Sequence, residues 1–226
     1  MLKWEALPDC MKNEDVKPYY DALKKKGVSR FLKRIFDIVA STILIVLLSP
    51  VMLVLAVWIK LDSSGPVFYK SERVTAFNKN FKIFKFRTMI TGADKKGSLI
   101  TVSGDDRITA VGRKIRSSRL DELPQLFNVF LGQMSFVGTR PEVRKYVDAY
   151  TDEMYATLLL PAGITSPASI AFRHEAELMA ELTSKGMSVD EAYIGKILPE
   201  KMKLNLDYLT AFNFFKDIAV CIKTFF

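Results

Sequence analysis

The chain has 226 residues, 49% of them hydrophobic and 26% charged, with 33 Lys+Arg against 25 Asp+Glu. That length suits one domain, or one domain with an anchor, and the balance excludes both a disordered chain and a polytopic membrane protein. A net charge of +8 points to anionic partners, while one histidine, His174, and two distant cysteines, Cys10 and Cys221, exclude disulfide, zinc and Ser-His devices.

Residues 1–28 read as a polar N-terminal extension whose Lys24-Lys25-Lys26 run is either an ordinary solvated charge run or, lying just before an apolar segment, a contact for anionic headgroups. Arg30 to Asp37 alternates basic and apolar residues at helical spacing, which suits a membrane interface. Ile38 to Ile59 then runs 22 residues without a formal charge. As one helix it would be roughly 33 Å long, enough to cross a bilayer core. It begins too late and runs too long for a secretory signal. Ser49-Pro50 falls at its middle, where proline removes an amide and predicts a kink. Residues 1–34 carry nine Lys/Arg against five Asp/Glu, and residues 60–90 carry seven against two. Basic flanks stay on the cytoplasmic side, so equal basicity favours a re-entrant hairpin over residues 29–61, bent at Ser49-Pro50. The alternative is a single kinked transmembrane helix.

Residues 62–226 read as a cytoplasmic domain. The VFYKSERV and FKIFKFRTM segments predict two short strands with Phe77-Asn78-Lys79-Asn80 between them. Phe81, Ile83 and Phe86 are expected on an apolar face, with Lys82, Lys85 and Arg87 on a charged one. Ala93 to Gly104 reads as a polar loop, and 106–160 as helical segments alternating with basic loops. Leu158 to Ser169, with Pro161, Gly163 and Pro167, looks turn-like. Glu175 to Thr183 and Ser188 to Leu209 predict helices, Ser188 and Glu191 fitting a capping box. The last helix would align Phe214, Phe215, Ile218 and Ile222 on one face, for core or membrane. The expected fold class is α+β and mainly helical: a membrane helix-break-helix, a short β-hairpin and interfacial amphipathic helices around a small globular domain.

Ionisable residues are densest from Asp105 to Glu122, where Arg107, Arg113, Arg116 and Arg119 precede the adjacent pair Asp121-Glu122. Pro124 opens a helix over PQLFNVFLGQM, which sets the acidic pair near a positive helix end. Acids before a helix are also ordinary caps, and arginines three apart an ordinary solvated face. Two further loops, Gly132 to Glu142 and Ile170 to Glu175, add Arg140 and Arg173. Several arginines converging from loops match fork-like recognition of phosphate oxygens. A carboxylate among them keeps its charge and can bind a divalent cation or attack phosphorus. His174 reads as a structural hydrogen-bonder. The Gly-rich phosphate loop and the dinucleotide fingerprint are both missing from the sequence.

KFRTM (Lys85 to Met89), LDELPQLFNV (Leu120 to Val129) and GQMSFVGTRP (Gly132 to Pro141), behind one Ser-Pro-broken apolar segment, resemble the bacterial sugar transferase family. Its members are monotopic polyprenyl-phosphate phosphoglycosyl transferases. The likeness covers about residues 29–226 and suggests the small form, with no multi-helix domain ahead of the catalytic region. It implies transfer of a sugar-1-phosphate from a UDP-sugar to polyprenyl (undecaprenyl) phosphate at the cytoplasmic face of the bacterial inner membrane, releasing UMP. It further implies Asp121 as a nucleophile forming a phosphosugar-enzyme intermediate, with Glu122 associated with Mg²⁺. Arg116, Arg140 and Arg173 match basic positions used around the phosphates, as do Lys85 and Arg87, and Ser49-Pro50 matches the re-entrant break.

The sequence departs from the family at Thr139, where a proline is usual, and at Ala162 and Ser166, followed by Pro167-Ala168-Ser169. Phospholipids are expected partners, and nucleic acid is not. Two other readings stand beside transfer through an enzyme intermediate: a non-catalytic membrane-anchored polyanion binder, and direct transfer in a ternary complex. The sugar, the glycan pathway and the oligomeric state are not written in these residues.

Overall fold

A computed structural model describes residues 1–93 and 105–224. The polar loop expected from Ala93 to Gly104 therefore lies, beyond Ala93, outside the described residues. The chain is mostly helical, with two small two-stranded sheets.

The first 25 residues are not a detached polar extension. Leu7, Met11, Val16, Tyr20 and Leu23 are buried in the main core with Leu159, Leu198, Met202 and Leu209. Helix α1 (Lys17–Lys25) supplies Tyr20 and Leu23 to that core. Asn13 Nδ2 donates to the Asp152 carbonyl at 3.3 Å, and the Tyr19 hydroxyl to Glu153 Oε1 at 2.7 Å. Lys26 Nζ donates to the Thr210 carbonyl at 2.8 Å rather than reaching outward. Five apolar side chains scattered through polar text bury well without forming a readable period.

Helix α2 (Gly27–Asp62) keeps helical backbone through Ser49-Pro50, where the Ser49 hydroxyl donates to the Val46 carbonyl at 2.8 Å. It is long and apolar enough to cross a membrane. Its protein-facing stripe is Lys33, Asp37, Ser41, Met52, Leu55 and Ile59, while Ile43, Val46, Leu47, Leu53 and Val54 face outward. Lys33 and Asp37, expected at the interface, instead point inward. Lys33 Nζ donates to the Val137 carbonyl and to Asp217 Oδ2, both at 2.6 Å. Asp37 Oδ1 accepts from Ser135 Oγ at 3.0 Å and the Phe136 amide at 3.1 Å. Arg34 donates to the Val129 and Phe130 carbonyls at 2.8 Å.

Past the proline, Met52, Leu55 and Ile59 join Phe86, Val111 and Ile115 in a second cluster, on which Leu120 and Leu123 pack. The two halves of α2 thus lie against one short stretch, 120–132. Arg34 and Met52 would be about 27 Å apart along a straight helix, whereas Leu123 and Val129 are only about 9 Å apart at the same rise.

Strands β1 (Phe68–Thr75) and β2 (Lys79–Phe86) pair antiparallel, with Tyr69 opposite Lys85, Ser71 opposite Ile83 and Arg73 opposite Phe81. Side chains alternate across the ribbon, so Lys85 shares the inward face with Phe81 and Ile83 while Lys82 is exposed on the other. The single charged face expected from the sequence is therefore split by the period of two. Asn128 locks this ribbon to helix α4 (Gln125–Phe130), accepting from the Phe84 amide at 2.9 Å and donating to the Lys82 carbonyl at 2.8 Å.

Strand β3 (Met134–Val137) runs parallel to β4 (Ala162–Thr165), which lies within the segment expected to be turn-like. Flanking prolines and Gly163 hide so short a strand. A Cβ on Gly163 would come within 2.1 Å of the Gly138 nitrogen, and one on Gly138 within 2.4 Å of the Pro161 carbonyl. Only glycine at both positions lets the loop after β3 pass this close.

Helix α3 (Ala110–Ser117) is capped by Thr109, which accepts from the Gly112 amide. Beyond β3 come α5 (Arg144–Val147), α6 (Pro167–Ala171) and α7 (Glu175–Ser184). Helix α8 (Val189–Ala192) opens with the expected reciprocal box between Ser188 and Glu191. A π-turn joins it to α9 (Leu198–Thr210), and α10 (Phe214–Lys223) ends the described chain. In α10 Phe215 and Ile222 are exposed, while Asp217 faces the core.

Candidate active site

Asp121 and Glu122 sit in a 3₁₀ turn, Leu120–Glu122, between α3 and α4. Arg119, just before it, adopts a left-handed conformation with φ 54°. That conformation costs about 1 kcal/mol for a non-glycine residue and reverses the chain so that the acids turn inward.

Glu122 Oε1 accepts from Lys85 Nζ at 2.9 Å and from Arg140 Nη2 at 2.8 Å. Lys85 arrives from the inward face of β2 and Arg140 from the glycine-bounded loop after β3. Burial acts to raise the Glu122 pKa, yet the Arg140 guanidinium and Lys85 ammonium together hold it well below the usual carboxylate range. Lys85 is pulled down by burial against the opposing pull of Glu122, and Arg140 is held up chiefly by Glu122.

Asp121 is also buried, but its carboxylate accepts no hydrogen bond from another of the described residues. Burial pushes its pKa up, opposed by Lys85 and Arg116 and reinforced by Glu122. The two neighbouring acids are therefore driven apart. Glu122 is a fixed anion bound to two cations, and Asp121 is a desolvated carboxylate free to bond to something else.

The other expected residues divide. Arg116 is half-buried and acts on Asp121 by charge, without a hydrogen bond. Arg173 is exposed and makes no hydrogen bond or ion pair with the acidic pair. Arg87 is buried and committed elsewhere: it donates to the Ser63 and Ser64 carbonyls at 2.7 Å and to the Ile59 carbonyl at 3.3 Å. It thereby closes the C-terminal end of α2 onto β2, a structural task. Arg107 forms a two-pronged pair with Asp105, and Arg113 and Arg119 are exposed. His174 is exposed beside Glu177, at 3.1 Å. Ser49 and Pro50 are exposed midway along α2.

Sequence reasoning missed a layer behind the acids. Glu142 is buried and accepts from the Tyr193 hydroxyl at 2.6 Å; Lys201 donates to that hydroxyl at 3.1 Å and to Glu175 at 3.0 Å. Arg73, half-buried on the hairpin's inward face, lies near Glu142, Arg140 and Tyr193. The one available signal was that Arg73 and Lys85 share strand parity across the hairpin; Lys201 and Tyr193 are remote and carried none.

No group of three His, Cys, Asp or Glu able to hold a metal occurs among the described residues. Magnesium, however, is commonly held by one or two carboxylates plus substrate phosphates. Among the described residues nothing hydrogen-bonds the Asp121 carboxylate or Oε2 of Glu122, so the donors fit that arrangement.

The family model described as bacterial sugar transferase matches residues 28–226. Over 207 residues the chain is 38% identical to a UDP-N-acetylgalactosamine-undecaprenyl-phosphate N-acetylgalactosaminephosphotransferase of Aeromonas hydrophila, covering 90% of this chain and 45% of that one. It is 32% identical over 220 residues to a UDP-glucose:undecaprenyl-phosphate glucose-1-phosphate transferase of Escherichia coli, covering 96% of this chain and 44% of that one. A similarly described protein of Caulobacter vibrioides is 32% identical, with 85% of this chain and 67% of that one covered. The chain thus spans less than half the length of the first two relatives.

Proposed function

The chain belongs to the bacterial sugar transferase family, and from that premise we propose that it moves a sugar-1-phosphate from a UDP-sugar to undecaprenyl phosphate. The observation that carries this reading is Asp121: a buried carboxylate that accepts no hydrogen bond from another described residue, among cations, beside a glutamate whose Oε1 is held by Lys85 and Arg140.

In the first step an Asp121 oxygen bonds to the sugar-linked phosphorus, and the bond from that phosphorus to the bridging oxygen breaks. UMP leaves with the electron pair. In the second step an oxygen of the lipid phosphate bonds to the same phosphorus and the Asp121 carboxylate is released. Splitting the exchange lets the nucleotide depart before the lipid arrives. The elevated pKa of Asp121 marks a more basic carboxylate, while Glu122 keeps Lys85 and Arg140 aligned on the phosphates. Magnesium bound by Asp121 and Glu122 would offset diphosphate charge.

The acceptor phosphate lies at headgroup depth, so the site must be held against that plane. A re-entrant α2, entering and leaving on the cytoplasmic face of the inner membrane, does this. In its support, residues on both sides of Pro50 lie against 120–132, the stretch that contains the acidic pair, and both flanks are basic.

Purified full-length protein in detergent or nanodiscs is to be mixed with UDP-N-acetylgalactosamine or UDP-glucose without acceptor. The expected result is UMP release limited to about one equivalent per enzyme, abolished in Asp121→Asn, with the sugar-phosphate retained on the protein. UMP released only when undecaprenyl phosphate is present, with no labelled protein, would replace the two-step route by direct transfer.

A further inference from the structure

Lys85 and Arg140 already share the Glu122 carboxylate. Arg73 is different. Its guanidinium is half-buried and makes no hydrogen bond or ion pair with any of the described residues, although such a group carries five N–H donors in a fixed fork. Its charged and titratable neighbours are Glu142, Arg140, Tyr69 and Tyr193. Glu142 acts on it by charge but is not within hydrogen-bond reach of it; Oε1 of Glu142 accepts from the Tyr193 hydroxyl and faces Lys201 Nζ at 3.7 Å. Strand parity puts Arg73 on the face that presents Lys85 and Ser71 inward. A desolvated arginine with all its donors open is built for an oxyanion that arrives with the substrate.

The cations have an order. Arg116 acts by charge on Asp121, Lys85 and Arg140 bind Glu122, and Arg73 interacts by charge with Arg140 and Glu142 rather than with the acidic pair. The phosphorus attacked must lie against Asp121, so the sugar-linked phosphate belongs at the Arg116 end. The other phosphate then extends past Arg140. We propose that Arg73 binds the nucleotide-side phosphate of the UDP-sugar, the phosphate that departs in UMP, an inference that rests on the transfer reading above. When the bond between the sugar-linked phosphorus and the bridging oxygen breaks, the electron pair and the new negative charge fall on that phosphate. Arg73 meets this charge, so it acts in the first half-reaction and is silent in the second.

The test uses full-length protein and three probes: UMP, uridine, and undecaprenyl phosphate added to enzyme already loaded with sugar-phosphate. Arg73→Gln is expected to weaken UMP binding and slow UMP release by about tenfold or more, the loss typical of a charge-assisted contact. Uridine affinity and the rate of discharge to the lipid stay at wild-type values. Arg73→Lys, which keeps the charge but not the fork, recovers part of the loss and guards against misfolding of the glutamine variant. Wild-type UMP affinity in both variants, with transfer intact, overturns the assignment while sparing the transfer reading. An equal loss for uridine, or an equal slowing of discharge, also overturns it, since either marks a general structural effect. A wild-type protein that neither binds UMP nor releases it from a UDP-sugar sinks the transfer reading and this assignment together.

Discussion

Arg140 Nη2 lies 2.8 Å from Oε1 of Glu122, joining two segments 18 residues apart in sequence. Glu122 is 12% exposed and also holds Lys85, so among the described residues it is the one carboxylate ion-paired with both cations. Glu122→Gln leaves both short of charge compensation and should destabilise the fold by about 3 kcal/mol, read as a lower denaturant midpoint. Because the folded-state pKa of Glu122 is depressed, its stabilisation is present above the unfolded carboxylate pKa and drains away as pH falls through the lower folded value. The glutamine variant should lack that acid-side loss.

Asp121 carries the opposite sign. Its folded-state pKa is raised by burial, so at neutral pH the ionised carboxylate costs stability. Asp121→Asn should unfold at a higher temperature than wild type while releasing no UMP, a site residue kept at the expense of stability. If Asp121 acts as the proposed nucleophile it must be ionised, so UMP release in the wild type should fall on the acid side at a pH above the ordinary carboxylate range. A profile flat down to pH 4 would remove Asp121 from that role.

Lys33 and Asp217 form a buried pair, 6% and 5% exposed, joining α2 to α10, and the Tyr208 hydroxyl also donates to Asp217 at 2.8 Å. Lys33→Met alone strands an anion and should cost about 3–5 kcal/mol. Adding Asp217→Leu should recover much of this, as a double-mutant cycle on unfolding midpoints would reveal. If the single and double variants are equally unstable, packing rather than charge dominates there.

Arg87→Lys should destabilise through the end of α2, because an ammonium cannot span the Ile59, Ser63 and Ser64 carbonyls as the guanidinium does. About 2 kcal/mol is expected from the lost charged hydrogen bonds. The KM for the UDP-sugar should hold at its wild-type value, which separates this arginine from Arg140.

Removing residues 1–25 strips five buried apolar side chains from the main core. At roughly 1.5–3 kcal/mol for each such side chain before chain entropy is set against it, the truncated protein should lose cooperative unfolding or aggregate. A truncated chain with an unchanged melting curve would return this segment to the status of a loose extension.

Much of the molecule was legible from local pattern. The apolar run, the hairpin, the capping box at Ser188 and the acidic pair each depend on residues within a few positions of one another, where period and spacing carry the information. Lys85 and Arg140 were singled out because their motifs resemble those of a family, and both are found paired with Glu122. Arg87, two residues from Lys85 in the same motif, was read the same way and does something else: the carbonyls that hold it belong to the end of α2.

Chain chemistry alone determined that this protein has an apolar membrane-competent helix, basic flanks and a carboxylate pair set among arginines. Tertiary structure decided which cations face which acid, that Lys33 and Asp37 turn inward, and that the first 25 residues complete the core. The physical reason is distance: an ion pair or a buried hydrogen bond between residues tens of positions apart depends on where the backbone returns. No local period records that return.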